Sequence, residues 1–188
     1  MAQNMKIFEI GPCDKAYQIG YQMGVTFSST ITSRIDTDLI LRNQLRPFAQ
    51  TPSGMLLVRL LCDTNKEKYP EYWDELVGIA EGSGVPELDI ILINFRKEIV
   101  PFIPKGRSQD TCHDIADDCS DVLVVSDSTA IAAHNEDGNV ALVGHTYLVR
   151  AILSNGKSFV AYTYAGELPS CAFGFNSEGI VKFFFFFL

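Results

Sequence analysis

The apolar residues of this 188-residue chain change their period once, near residue 118. Before that point they recur at helical spacing, and after it they alternate. From Ile19 the series Met23, Phe27, Ile31, Ile35 and Leu39 steps by four, which predicts one long helix with a single apolar stripe. Gly20 and Gly24 near its start would let another backbone approach closely. Pro47 and Pro52 bracket a break, and the apolar run 55–61 reads as a buried helix. Pro70 stands at a favoured helix start, just ahead of EYWDELVGIAEGSG. Within it Tyr72, Leu76, Ile79 and Ala80 share a face, and Gly82 and Gly84 supply a stop signal. Pro86 opens another helix with Leu88, Ile91, Leu92, Phe95 and Ile99 in phase, ended by Pro101 and Pro104. Residues 101–118 read as a loop.

Beyond residue 118 the segments 122–125, 129–133 and 140–143 are short β-type runs between turn residues. Residues 147–153 and 158–164 flank Ser154-Asn155-Gly156-Lys157, and Asn-Gly between β-type runs predicts a hairpin. Residues 172–175, the turn Asn176-Ser177-Glu178-Gly179 and the segment from Ile180 predict another. A helical part followed by an antiparallel part is an α+β arrangement.

Composition narrows the partners. Fifteen Lys+Arg against 23 Asp+Glu give a formal charge of −8, with no basic cluster, so no nucleic-acid partner is expected. The apolar runs 55–61 and 183–188 are too short to span a bilayer, so no membrane partner is expected either. The start MAQNMKIFEI lacks a basic stretch leading into an apolar core, and the five cysteines are unevenly spaced. Both predict a reducing compartment, the cytoplasm, with a peroxisomal location open to a full-length form.

Cys119 stands where the loop meets the first β-type run. Asp117, Asp118 and Asp121 around it would raise a thiol pKa, so a reactive Cys119 must be activated from elsewhere; otherwise it is an ordinary thiol at a strand start. Cys112-His113 with Cys119 makes a weak zinc motif. No second pair follows at finger-like spacing, and His134 and His145 fall on separate strand ends, so no metal is expected. Ser83 and Ser170 lack a Gly-x-Ser-x-Gly frame, and neither a P-loop nor a G-x-G-x-x-G after a strand occurs. No cofactor is expected. His134-Asn135-Glu136-Asp137-Gly138 is a polar turn by composition. If the first two β-type runs pair antiparallel, that turn brings a carboxylate and an amide, Asp137 and Asn135, toward Cys119.

Four segments in order carry a resemblance. They are EYWDELVGIAEGSGVPELDIILINFR (71–96), DDCSD (117–121), HNEDG (134–138) and YTYAGELPSCAFGFNSEGI (162–180). Together they resemble the acyl-coenzyme A:6-aminopenicillanic acid acyltransferase family, a C45 peptidase-like branch of the N-terminal-nucleophile hydrolases. The resemblance implies an αββα sandwich, here incomplete. Residues 1–118 would be the helical pro-segment or small subunit, and 119–188 the first antiparallel strands of a truncated catalytic sandwich. It implies autocleavage between Asp118 and Cys119, which frees Cys119 as an N-terminal nucleophile. The new α-amine titrates at roughly 7.7–8.0 and a thiol at roughly 8.5, so the amine can take the thiol proton at neutral pH. By position Asp137 matches the aspartate that organises the nucleophile, and Asn135 matches an asparagine that supports the turn. The implied substrates are small amides or acyl-CoA-type thioesters.

Two departures from the family stand out. Asp118 occupies a position where Gly is usual. The position of an oxyanion-binding Asn falls near Phe185, within the terminal KFFFFFL, and loss of one such donor costs roughly 10²–10³ in turnover. These departures leave a second expectation beside the enzyme, an inactive truncated isoform or partner-binding fragment. The Phe run itself fits a translated thymidine tract at an intron boundary.

Overall fold

The computed structural model describes residues 6–104, 119–169 and 172–182. Cys112, His113, Asp118, Ser170 and the Phe run lie outside the described residues.

The chain opens with a strand, β1 (Ile7–Cys13), that helical periodicity did not predict. Helices α1 (Ala16–Thr26), α2 (Ser28–Thr37), α3 (Arg46–Ala49), α4 (Pro52–Lys68), α5 (Pro70–Ser83), α6 (Glu87–Asn94) and α7 (Arg96–Ile99) follow. The later strands are β2 (Ser120–Val125), β3 (Ala130–Asn135), β4 (Thr146–Leu153), β5 (Ser158–Tyr164), β6 (Gly174–Asn176) and β7 (Val181–Lys182). One sheet has the order β1-β4-β5-β6-β7, with β1 parallel to β4 and the other pairs antiparallel. The other is the hairpin β2-β3. The architecture is mixed, with helices and two sheets, as an α+β reading requires. Among the described residues no helix is long and apolar enough to cross a membrane.

Helices α1 and α5 are joined by glycines. Gly20 and Gly24 on α1 face Gly78 and Gly82 on α5, each pair one helical turn apart. A Cβ on Gly20 would overlap the Glu75 carbonyl, one on Gly78 the Tyr17 carbonyl, and one on Gly82 the Tyr21 carbonyl. On Gly24 it would stand 2.6 Å from the Ile79 oxygen. Backbone therefore packs on backbone, and the Tyr17 hydroxyl closes one edge by donating to Glu81 Oε2 at 2.5 Å.

The predicted long helix is two helices. Phe27, with φ −112° and ψ 18°, ends α1 and begins α2. Its ring stacks on Tyr147 of β4 at 3.5 Å between centroids, and Phe8 of β1 meets it edge-on. The break sets that ring against the sheet, where Tyr147, Val149 and Ala151 alternate inward along β4. Ile31 and Ile35 remain buried as the stripe predicts, but Leu39 lies past the helix end and is exposed. There the buried Asp38 carboxylate accepts from the backbone N–H groups of Ile40 and Leu41, and starts the next helical turn.

Four further expectations need correction. The run 55–61 is helical but only partly buried, because a continuous apolar run circles the cylinder. Val58 faces the core while Met55, Leu56 and Leu60 face solvent. On α5, Trp73 is buried and Tyr72 is exposed. Pro70 and Gly84 bound that helix as predicted, Gly84 in the left-handed region at φ +73°, while Gly82 lies inside it. Residues 140–142 form a 3-10 turn rather than a strand, since Asn139 Oδ1 accepts from the Ala141 N–H. Both predicted hairpins are present, with Tyr147 opposite Thr163 in β4-β5 and Phe175 opposite Val181 in β6-β7.

A buried ion pair ties the helices to the turn after β5. The fully buried Arg34 of α2 donates to the Ala165 carbonyl at 2.8 Å and to the Glu167 carboxylate.

Glu75 on α5 is buried, and its Oε1 has no hydrogen-bond partner among the described residues. Burial disfavours the charged form and pushes its pKa up to about 7. The folded chain thus holds this proton more tightly than the unfolded chain, whose carboxyl titrates near its ordinary 4.5. Stability is full below that value and falls as pH rises through about 7, by on the order of 3 kcal/mol for this one group. Glu75→Gln should remove this slope. Denaturant melts of variant and parent between pH 4.5 and 8 check it; parallel curves would refute the assignment.

Candidate functional site

The β2-β3 hairpin sets four chemistry-bearing side chains on one face. The ladder pairs Ser120 with Asn135 and Asp121 with His134. Counting back one step puts Cys119 across from Glu136. Side chains two apart on a strand share a face, so Cys119, Asp121, His134 and Glu136 converge.

The contacts follow this count. Cys119 Sγ donates to Glu136 Oε2 at 3.4 Å. His134 Nε2 lies 2.8 Å from the same oxygen, and its Nδ1 lies 2.7 Å from Asp121 Oδ1. The Tyr164 hydroxyl, reaching from β5, donates to Glu136 Oε1. The His134 side chain is only 2% exposed, against 15% for Asp121 and 14% for Glu136. Phe173 lies beside its ring, at 5.7 Å between centroids. These contacts hold the hairpin against the main sheet. Elsewhere the hairpin is open, with Val122, Leu123, Val124, Val125 and Ile131 all more than half exposed.

Burial by itself would lower the His134 pKa. Hydrogen bonds to Glu136 and Asp121, with the charges of both, outweigh it and hold the imidazole above its ordinary value. An imidazolium donates from both nitrogens, which matches a carboxylate oxygen at each. The cluster is thus a thiol on a carboxylate that is itself held by an imidazole and a phenol. It holds the thiol by a hydrogen bond in a fixed orientation at the head of β2.

Of the residues picked out from the sequence, Cys119 and Asn135 stand at the same end of the hairpin. Asn135 is exposed and pairs through its backbone with Ser120. Asp137 is exposed too, and the carboxylate on the thiol is Glu136, one residue earlier. The sequence reading weighs His134 only as a zinc ligand and Asp121 only as a neighbouring charge, and assigns no site role to Glu136 or Tyr164. For the first three the signal was present, since pairing the two runs in register puts Asp121 opposite His134. Tyr164 left no local signal, because its contact spans 28 residues.

A cavity of about 170 Å³ lies elsewhere, lined by Asn65, Tyr69, Trp73, Asn94 and Leu168 among others. Its walls come from α4, α5, α6 and the segment after β5, and include none of the hairpin cluster. His145 is also apart, with Nε2 3.0 Å from Ser33 Oγ.

Comparison with known proteins agrees with the sequence resemblance. The family described as acyl-coenzyme A:6-aminopenicillanic acid acyl-transferase matches residues 124–187, beginning just past Cys119. The β-alanyl-dopamine/carcinine hydrolase of Drosophila melanogaster is 27% identical over 179 residues, covering 88% of this chain and 44% of that protein. The 40 kDa form of the acyl-coenzyme A:6-aminopenicillanic-acid-acyltransferase of Emericella nidulans is 26% identical over 165 residues, covering 87% of this chain and 42% of its own. The chain therefore spans less than half the length of these curated relatives.

Proposed function

We propose that this chain is a member of the acyl-coenzyme A:6-aminopenicillanic acid acyltransferase family and acts on amide or thioester acyl groups with Cys119 as nucleophile. The observation that carries the reading is the Cys119 thiol at the head of β2, hydrogen-bonded to Glu136. That contact holds the thiol in place, and the base that the neighbouring acids cannot supply is the α-amine freed by cleavage.

The chemistry begins on the chain itself. Cys119 Sγ adds to the carbonyl of Asp118, the 118–119 C–N bond breaks, and a thioester and a free α-amine form. Water releases the Asp118 carboxylate and returns the thiol. In turnover the thiol proton passes to the α-amine, sulfur attacks the substrate carbonyl, and the leaving amine or thiol departs with that proton. Water or an amine then takes the acyl group. Glu136 holds the thiol, Asp137 the new α-amine, and Asn135 the shape of the turn. The fold this implies is an αββα sandwich, with residues 1–118 as the pro-segment and 119–188 as its first strands. Substrates are small amides or acyl-coenzyme A thioesters, following the names of the relatives. A thiol nucleophile also fits the reducing cytoplasm.

Mass analysis tests it. Under denaturing conditions the chain should give two pieces, the second beginning at Cys119. Under native conditions the pieces should travel together, because β1 pairs with β4 and Arg34 with Glu167 across the split. An intact chain that turns over β-alanyl-dopamine, or acylates 6-aminopenicillanic acid, would refute the N-terminal-nucleophile mechanism.

A further inference from the structure

We propose that Cys119, His134 and Glu136 bind one divalent cation of the zinc class, with Asp121 and Tyr164 holding the ligands in place. Among the described residues these three offer a sulfur, a ring nitrogen and a carboxylate oxygen, all within 4.8 Å of one another. An ion at ordinary zinc bond lengths in tetrahedral geometry sets its donors roughly 3.2–3.6 Å apart. Cys119 Sγ and Glu136 Oε2 already stand at 3.4 Å, and His134 Nε2 and Glu136 Oε2 at 2.8 Å. The ring and carboxylate would open by a few tenths of an ångström, and the sulfur and ring nitrogen, within 4.8 Å of each other, would draw to tetrahedral spacing.

The surrounding contacts match what such a site requires. The nitrogen that shares Glu136 Oε2 with the thiol is Nε2, while Nδ1 stands 2.7 Å from Asp121 Oδ1. This is the carboxylate–histidine arrangement that fixes the ring and its tautomer in metal sites. Tyr164 occupies the far oxygen of Glu136 and leaves Oε2 for the ion. The ring is 2% exposed, so it has little freedom to turn away. One oxygen, Oε2, is now approached by both the thiol and Nε2. A cation would take the place of both hydrogens there, releasing one proton from sulfur and one from Nε2, and leaving Nδ1–H on Asp121. Two anionic ligands with one neutral ring balance a +2 ion, and the fourth position is left to water. The sulfur and nitrogen favour zinc or cobalt over magnesium or calcium.

Cobalt titration of the chain is the test, because a thiolate on Co²⁺ gives a charge-transfer absorption that Zn²⁺ then quenches by displacement. One-to-one binding is expected. Cys119→Ser should abolish the band, and Asp121→Asn should keep it at 10–100-fold weaker affinity. His134→Gln should weaken binding by more than Asp121→Asn does, with circular dichroism confirming that each variant is folded. The Cys119→Ser and Asp121→Asn changes nearly preserve volume and carry the test if His134→Gln does not fold. Absence of saturable binding, or an unchanged band in Cys119→Ser, would overturn the proposal; the latter would assign the ion to other residues. An ion on Sγ would occupy the proposed nucleophile, so bound metal and turnover exclude each other; the readout needs no turnover, and a failure here leaves the acyl-transfer reading standing.

Discussion

Cys119→Ala should abolish turnover, by at least about 10⁴-fold, and should leave the chain in one piece. Both effects come from one atom. Without Sγ there is nothing to attack the carbonyl before residue 119, and nothing to carry the acyl group afterwards. Cys119→Ser should split slowly and turn over weakly, since a hydroxyl at neutral pH is far less ionised than a thiol. The neighbouring carboxylates separate by their own variants. Glu136→Gln removes the negative charge that holds the thiol and the His134 ring, and should lower kcat with KM little changed. Asp137→Asn should instead shift the pH profile, because its proposed partner is the α-amine. Rates against pH for both variants, beside the mass of Cys119→Ala, check the assignment. Full activity in Cys119→Ala would end it.

Gly20→Ala should destabilise the chain by about 3 kcal/mol or more, although alanine is the better helix former. Two terms of opposite sign compete. Replacing glycine by alanine inside a helix gains roughly 1 kcal/mol from propensity. Against it, the new Cβ would overlap the Glu75 carbonyl, a backbone atom held within α5 that no rotamer can move. The overlap is relieved only by parting α1 from α5, which also opens the contacts of Gly24, Gly78 and Gly82. The steric term wins. At this chain length the loss corresponds to a fall in Tm of roughly 6–12 °C. Thermal melts followed by circular dichroism measure it, and an unchanged or higher Tm would rule out backbone contact at this crossing.

The two halves were legible to different degrees. Helix ends at Pro70 and Gly84 could be read because proline and glycine act through their own backbone geometry. The turn at Asn155-Gly156 and the hairpin around it could be read for the same reason, with Gly156 at φ +84°. The break at Phe27 could not, because the stripe continues across it in phase. What interrupts the helix there is a ring stacked on Tyr147, 120 residues away along the chain. Strand β1 was missed likewise, since Ile7–Cys13 takes its place by pairing with β4 rather than from its own pattern. At the site, antiparallel pairing correctly drew the HNEDG turn toward Cys119, and the register then selected Glu136 as the side chain on the thiol. One residue along a strand is one change of face.

The change of apolar period near residue 118 alone determined that helices fill most of the chain before it and paired strands the part after it, β1 being the exception. Local geometry suffices for that, because each period belongs to one backbone conformation. The sequence order of four motifs likewise pointed to the family. Only the tertiary structure decided which glycines are points of contact, which half of each apolar run is buried, and which carboxylate meets the thiol. Those outcomes depend on the atoms opposite, and neither spacing nor composition names them. Gly20 has meaning through the Glu75 carbonyl, and Cys119 through Glu136, His134 and Tyr164.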